Sequence, residues 1–287
     1  MKYRHSHHAG NFADVHKHVT LLALLAALKR KDKGLLYLDT HAGRGSYQLS
    51  GASAEAAAGV GRFLAARHAA PELTAYAALI GRLRARAARP HLYPGSPLIA
   101  ISELRRQDRA ALIELQGAEA HALEAVLTAL DLTRSGDAPQ VRVERGDGFT
   151  RLRAWLPPPE RRGLTLLDPP YEETQRDYAR VATALAEGLR RFPTGVFLAW
   201  YPIKEERPVS AWCDACAREL AAPLLASELW LYPRDSRVAL NGSGLLIVNP
   251  PWQTLERMQA WLPELQACLA LGSGAGSSAR MLSQSSA

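Results

Sequence analysis

The stretch GLLYLDTHAGRGSYQLS, residues 34–50, sets a short aliphatic run against an acid, and the acid against a turn punctuated by Gly43 and Gly45. Apolar residues at consecutive positions, Leu35 to Leu38, describe a strand buried on both faces, the pattern of a parallel sheet. Asp39 closes that strand at its carboxyl end, where open parallel sheets bind ligands. Six further runs share this character: AALIELQ from 110, VRVERGD from 141, LTLLDPP from 164, VFLAWYP from 196, SELWLYP from 227 and GLLIVNPP from 244. The first five of the seven are spaced for helical crossovers. The chain is therefore expected to be an α/β protein with a seven-stranded, mostly parallel sheet and helices on both faces.

Upstream of the first strand, Asn11 and Asp14 have the spacing of a capping box, which predicts a helix from about residue 12. Leu21, Leu24, Leu25 and Leu28 then recur at helical spacing and mark its core stripe. The interval between Ser50 and Tyr93 is too long for a simple crossover and is rich in alanine, so it reads as a small helical insertion. The expected organisation is a main α/β domain over 1–49 and 94–252, the insertion over 50–93, a C-terminal helix over 253–270 and a disordered tail over 271–287. The tail is small and polar, without a core-forming pattern.

A chain of 287 residues with 47% hydrophobic and 22% charged residues can bury one large core without staples. The formal charge of +7 favours a polyanionic partner. In the insertion, Arg62, Arg67, Arg82, Arg84, Arg86 and Arg89 face only Glu55 and Glu72; a solvated helix face and a nucleic-acid contact both account for them. Three cysteines cannot close a disulfide framework, and the pair Cys213/Cys216 lies in a segment with helical amphipathicity and lacks a second pair for zinc. The apolar run VTLLALLAAL is too short to span a bilayer and is followed by KRKDK, so a buried helix, a cytoplasmic location and no membrane contact are expected.

Four strands end in acids: Asp39, Glu114, Asp147 beside Gly148, and Asp168. The first turn lacks the third glycine of a dinucleotide fingerprint, with Gln48 standing in its place. Read as Asp-x-His-x-Gly-x-Gly over 39–45, it resembles the glycine loop of class I S-adenosylmethionine-dependent methyltransferases. That resemblance implies Glu114 for the cofactor's ribose hydroxyls and Asp147 for its adenine edge. The motif DPPY, Asp168 to Tyr171, resembles the one by which amino methyltransferases hold an exocyclic NH2. The Asp168 carboxylate and Pro169 carbonyl would accept its two N–H groups and aim the lone pair, with Tyr171 stacked on the extruded base. A second copy, NPPW from Asn249 to Trp252, ends the last of the seven strands, and chain order favours Asp168.

Together with YRHSHHAGNFADVHKH at residues 3–18 and YPGSPLIA at 93–100, these motifs resemble the 23S ribosomal RNA adenine-N6 methyltransferases of the RlmJ type. The resemblance covers about residues 3 to 252. It implies a Rossmann-like class I methyltransferase fold, S-adenosylmethionine as methyl donor, and 23S ribosomal RNA, free or immature, as substrate. No metal is expected, since His16 and His18, two apart on the predicted helix, point to different faces, and a monomer is expected. Carried over residue by residue, it assigns cofactor contacts to His18, His41, Gly43, Ser96, Glu114, Asp147, Gly148 and Asp168, and target entry to Tyr3. The sequence departs from the family at ELQGAE, where His-Pro often follows the acid. Rival readings are methylation of guanine N2, DNA adenine or a protein glutamine amide, and a noncatalytic RNA-binding module.

Overall fold

Strand segments made of consecutive aliphatic residues have no polar face to turn to water, so helices must cover both sides of any sheet they form. A computed structural model, describing residues 9–49, 53–133, 136–234, 236, 238 and 240–283, has this layered arrangement. The first part of the chain forms α1 (Phe12–Lys29), β1 (Leu36–Asp39), β2 (Ser46–Gln48), α2 (Ala54–Ala56), a π-helical turn at Ala57–Gly61, α3 (Arg62–Ala65), α4 (Pro71–Ala87), β3 (Leu92–Pro94) and α5 (Ser96–Ile101). There follow β4 (Arg109–Glu114), α6 (Gly117–Ala129), β5 (Gln140–Arg145), α7 (Gly148–Trp155), β6 (Gly163–Leu167), α8 (Thr174–Arg191) and β7 (Val196–Ile203). The chain continues through α9 (Glu206–Glu219), β8 (Leu224–Trp230), β9 (Gly242–Val248), α10 (Thr254–Leu269) and β10 (Gly276–Leu282).

The main sheet runs β5-β4-β1-β6-β7-β9-β8-β10. Strands β5, β4, β1, β6 and β7 are parallel, whereas β9, β8 and β10 are each antiparallel to their neighbours. All seven sequence-predicted strands are present, and β10 makes eight. The expectation of a disordered tail over 271–287 is corrected for part of that span: Gly276 to Leu282 pair with Trp230 to Leu224 along the free edge of β8, and residues 284–287 lie outside the described residues. An edge strand is held by backbone hydrogen bonds and needs little apolar side-chain pattern, which is why GSSARML did not read as one.

The helix expected from residue 12 begins there because the Asn11 side chain accepts the Asp14 amide at 3.0 Å, while Asp14 accepts the Gly10 amide at 2.9 Å. Its stripe is buried at Leu21, Leu24 and Leu25. The insertion is tied off where β2 and β3 pair antiparallel, Ser46 opposite Pro94. Most of its arginines are occupied within the protein. Arg62 donates to the Ala270 carbonyl, Arg84 to that of Leu92 and Arg86 to that of Leu130, and Arg82 pairs with Glu103. Cys213 and Cys216 are buried on α9, and burial pushes both thiols up to about 12.

His16 locks α1 to the antiparallel half of the sheet. Its two ring nitrogens sit 3.1 Å from Ser243 Oγ and 3.0 Å from Ser227 Oγ, and burial holds its pKa down to about 3. His18 points instead to Tyr76 and Tyr93, so the two histidines serve different faces of the helix. A histidine kept neutral in the fold binds its proton only in the unfolded chain between these pKa values. Its contribution is complete above about pH 6.5 and is lost as pH falls toward 3, up to a ceiling on the order of 4 kcal/mol. We expect His16→Asn to lower stability at neutral pH by about 1–3 kcal/mol. It should also flatten the fall in urea midpoint between pH 6.5 and 4; an acid limb as steep as that of the unaltered protein would contradict this role.

Candidate active site

Strand order reverses between β1 and β6, because the chain moves outward through β4 and β5 before returning to β6 and β7. Their carboxyl ends therefore part and leave a crevice, the usual ligand position in such sheets. A cavity of about 600 Å3 opens there, and Gly43, Glu114, Asp147, Gly148 and Asp168 all line it.

The β1 end is pegged from below. Asp39 is fully buried and accepts from Tyr37 Oη and Ser96 Oγ, each at 2.7 Å, and from the His41 amide at 3.2 Å. Burial raises its pKa to about 6 against the pull of the Ser96 and Tyr37 hydrogen bonds. Ser96, expected to touch the cofactor, holds the peg. Above the peg, Gly43 and Gly45 take φ of +61° and +77°, a region open to glycine. The turn presents the Gly43 amide to Glu114 Oε2 at 2.8 Å, while the Gln116 amide binds Oε1 at 2.7 Å. Two backbone donors leave the carboxylate with acceptor capacity for a ligand's hydroxyls.

The β5 side supplies the second acid. Asp147 caps α7 through the Thr150 amide at 3.1 Å, and its other oxygen meets Arg180 at 2.6 Å. Burial works to raise its pKa, but the Thr150 amide and Arg180 outweigh it and hold the group below the usual range. Arg180 also lies 4.3 Å from the Phe149 ring centre, and His41 meets that ring edge-on at 4.9 Å. Gly148 is required sterically: a β-carbon there would stand 1.9 Å from the Thr40 carbonyl oxygen.

The third acid, Asp168, is 8% exposed and follows β6 directly. Its Oδ2 accepts from Lys17 Nζ at 2.5 Å, and the same ammonium donates to Asp14 Oδ1 at 2.8 Å. Burial alone would lower the lysine pKa, but Asp14 and Asp168 together drive it upward, so Lys17 stays charged. Lys17 fixes the rotation of the Asp168 carboxylate, and no hydrogen bond among the described residues engages the Oδ1 atom. Sequence reasoning missed this lysine. Its only local signal is the three-residue spacing from Asp14; its second partner lies 151 positions away.

One expectation is corrected by the packing. Tyr171 was expected as a base platform, but its ring is buried against Tyr178 and Trp200 and its hydroxyl donates to the Trp200 carbonyl at 2.8 Å. The φ of +51° at Tyr171 turns the side chain inward, leaving Pro169 and Pro170 on the cavity wall. His18, expected to touch the cofactor, lies 2.9 Å from Tyr93 Oη and 3.1 Å from Tyr76 Oη. Tyr3 lies outside the described residues. The rival NPPW motif is separated by topology: β9 runs antiparallel to β7, which sends Asn249 to the opposite edge of the sheet.

The sequence model of the family described as ribosomal RNA large subunit methyltransferase D, RlmJ, matches residues 32–281. The chain belongs to this family. It is 39% identical to the ribosomal RNA large subunit methyltransferase J of Escherichia coli K12 over 273 residues, 94% of each chain. The enzyme of the same name from Haemophilus influenzae is 37% identical over the same share. Among solved structures, protein LPL1258 of Legionella pneumophila is 35% identical and superposes with a TM-score of 0.83, covering 97% of this chain and 99% of that one. Family membership makes S-adenosylmethionine the methyl donor, and the site fits it: an oriented carboxylate for a ribose, an acid beside a clash-free glycine, and a cavity within the usual range for cofactors. Gly148→Ala should therefore raise the Kd for S-adenosylhomocysteine at least about tenfold, as read by titration calorimetry, and also lower the melting temperature, because the added methyl must displace the Thr40 backbone. An unaltered Kd would remove the close backbone approach from the account.

Proposed function

We propose that this chain transfers a methyl group from S-adenosylmethionine to the exocyclic N6 of an adenine in 23S ribosomal RNA. One observation carries the reading: the Asp168 carboxylate, clamped by Lys17, opens into the same cavity as the glycine turn, Glu114 and Asp147. Amine-holding and cofactor-holding groups share a single chamber. The family name and the resemblance of DPPY to amino-methyltransferase motifs support the choice of acceptor.

When bound, the cofactor supplies an electrophilic methyl on a sulfonium. The protein's task is to make a poor nucleophile available, since the amine lone pair of adenine is delocalised into its ring. Asp168 Oδ1 accepts one amino hydrogen and the Pro169 carbonyl accepts the other. Accepting both stabilises the positive charge that develops on nitrogen as the methyl is transferred and turns the lone pair out of conjugation; the surplus N–H proton then leaves to water. Proline at 169 and 170 brings no competing backbone donor to the cavity wall. Lys17 acts by orientation, holding Oδ2 so that the free oxygen faces the amine. The burial of Asp168 and Lys17 strengthens these interactions by excluding water.

We take the substrate to be large-subunit RNA before its proteins cover the target, and the enzyme to act as a cytoplasmic monomer. No helix among the described residues is long and apolar enough to cross a membrane. The deciding experiment offers labelled S-adenosylmethionine with protein-free large-subunit RNA, duplex DNA and a peptide pool, followed by nucleoside analysis. N6-methyladenosine from the RNA is the expected product. N2-methylguanosine, or label confined to DNA or peptide, would overturn the acceptor, and cofactor binding without transfer would favour the noncatalytic RNA-binding reading.

Two variants test the clamp. Asp168→Asn should cut kcat by roughly 100-fold or more, the loss typical of one transition-state acceptor and well beyond any loss of affinity for S-adenosylhomocysteine. Lys17→Met should lower kcat by about 10- to 100-fold, since a misplaced carboxylate is costly even when it is present. Wild-type turnover in either variant would refute the clamp.

A further inference from the structure

The walls of the catalytic cavity are a poor place for a polyanion. Seven carboxylate residues line it, Glu114, Glu119, Asp147, Asp168, Glu172, Glu173 and Asp177, against the three arginines Arg44, Arg176 and Arg180. All three arginines are already paired, with Glu119, Glu173 and Asp147. Yet the chain carries a formal charge of +7, so its excess cations lie elsewhere. The insertion uses most of its own on carbonyls and Glu103.

The other concentration lies at the amino ends of β1, β4 and β6, the edge opposite the catalytic one. Three loops meet there, because Leu36 of β1 pairs with Arg109 of β4 and with Gly163 of β6. The loop sequences are RKDK at 30–33, RRQDR at 105–109 and ERR at 160–162. Two guanidinium groups bind the loops into one platform. Arg105 donates to the carbonyls of Lys31 and Lys33 at 3.2 and 2.9 Å, and Arg162 donates to that of Lys33 at 2.7 Å and to that of Leu28. The platform gathers like charge: the Arg162 pKa is lowered by burial and by Arg105 beside it. The buried Asp108 is spent on Arg105, and Glu160 on Arg109.

Five cations remain on the surface of this platform: Arg30, Lys31, Lys33, Arg106 and Arg161. All are exposed, and none of their side chains has a hydrogen-bond or ion-pair partner among the described residues. Asp32 is the one exposed carboxylate among them. Arg106 also borders an open groove of about 570 Å3 together with Arg109 and Gln140. A folded protein gains nothing from crowding unpaired cations onto loops that it has taken care to fix. A polyanion neutralises them and releases its counterions.

We propose that this rear edge is a second RNA-binding surface, which takes the phosphodiester backbone of a part of the substrate remote from the methylated adenine. The inference rests on the reading that the substrate is ribosomal RNA. Strand β6 spans five residues, roughly 17 Å, so a folded RNA that contacts both edges of the sheet must wrap the flank of the protein. Such a surface confers affinity without touching the chemistry. It also makes a long folded RNA a better substrate than a short one that covers the catalytic edge alone.

The test combines Lys31→Ala, Lys33→Ala and Arg106→Ala in the full chain and measures binding to protein-free large-subunit RNA as a function of salt. The slope of log K against log salt should become shallower by about 2 to 3. KM for the long RNA should rise about tenfold or more, with kcat at saturation, S-adenosylhomocysteine binding and melting temperature unchanged. Arg82→Ala, which removes an arginine already paired with Glu103, should alter the slope little. An unchanged slope and KM in the triple variant would overturn the second surface and leave the methyltransferase reading intact. Failure of the unaltered protein to methylate any RNA would sink that reading instead, while the salt slopes still decide whether the platform holds RNA. Binding to phosphatidylserine vesicles that is lost in the triple variant, with RNA affinity unaffected, would assign the platform to a membrane surface and refute the proposal.

Discussion

A single ammonium group, that of Lys17, is shared between Asp14 and Asp168. It lies in the interior, where a charge is tolerated only if it is paired and hydrogen-bonded, so each member of the trio depends on the other two. Asp14 is itself fixed by its place in the first turn of α1, where it accepts the Gly10 amide. The position of the Asp168 carboxylate is thus inherited from a helix cap at the other end of the sequence. His16, one residue earlier, holds the same helix to β8 and β9 through two serine hydroxyls. Over the span Asn11 to His18 the chain sets the cap, the lock on the sheet, the clamp on Asp168 and a contact with the insertion through Tyr76 and Tyr93.

Much of this was legible in the sequence because it is written in local patterns. Seven strands, the start of α1, the helical insertion and the acids at strand ends all follow from runs and spacings of a few residues. What was not legible depended on pairing between distant segments. The strand Gly276–Leu282 has no apolar signature because its register is set by the unpaired backbone of β8. Lys17 looks like an ordinary helix-surface lysine until β6 delivers Asp168 beside it. Ser96 and His18 are placed near the cofactor by resemblance, and their hydrogen-bond partners, Asp39 in one case and the tyrosine pair in the other, lie in distant parts of the sequence. A motif states which residues gather at a site without stating which of them face the cavity.

Tyr171 illustrates the same point through backbone geometry. A left-handed conformation at a bulky residue costs energy and persists only where the surroundings impose it. Here the Trp200 carbonyl accepts the phenol, and Tyr178 and Trp200 flank the ring. The aromatic residue of the motif therefore buttresses the strand end, and Asp168 and Pro169 are presented on a wall that cannot collapse into the crevice. Rigidity of that kind suits a clamp whose value lies in the angle at which it holds an amine.

The distribution of charge follows from the same chemistry. A cofactor with ribose hydroxyls and a cationic sulfur, and an amine acquiring positive charge, both call for carboxylates, and the cavity supplies seven such residues. Their surplus over the three arginines of the same cavity repels an RNA backbone. Coulombic attraction and repulsion between exposed groups fade over about 10 Å at 0.1 M salt, so the two demands are reconciled by distance. The sheet itself provides that distance, with ligand carboxylates at one set of strand ends and unpaired lysines and arginines at the other. An enzyme built this way draws its affinity for nucleic acid from surfaces that never approach the reacting atoms, and its acidic chamber admits a base once the phosphates are held elsewhere.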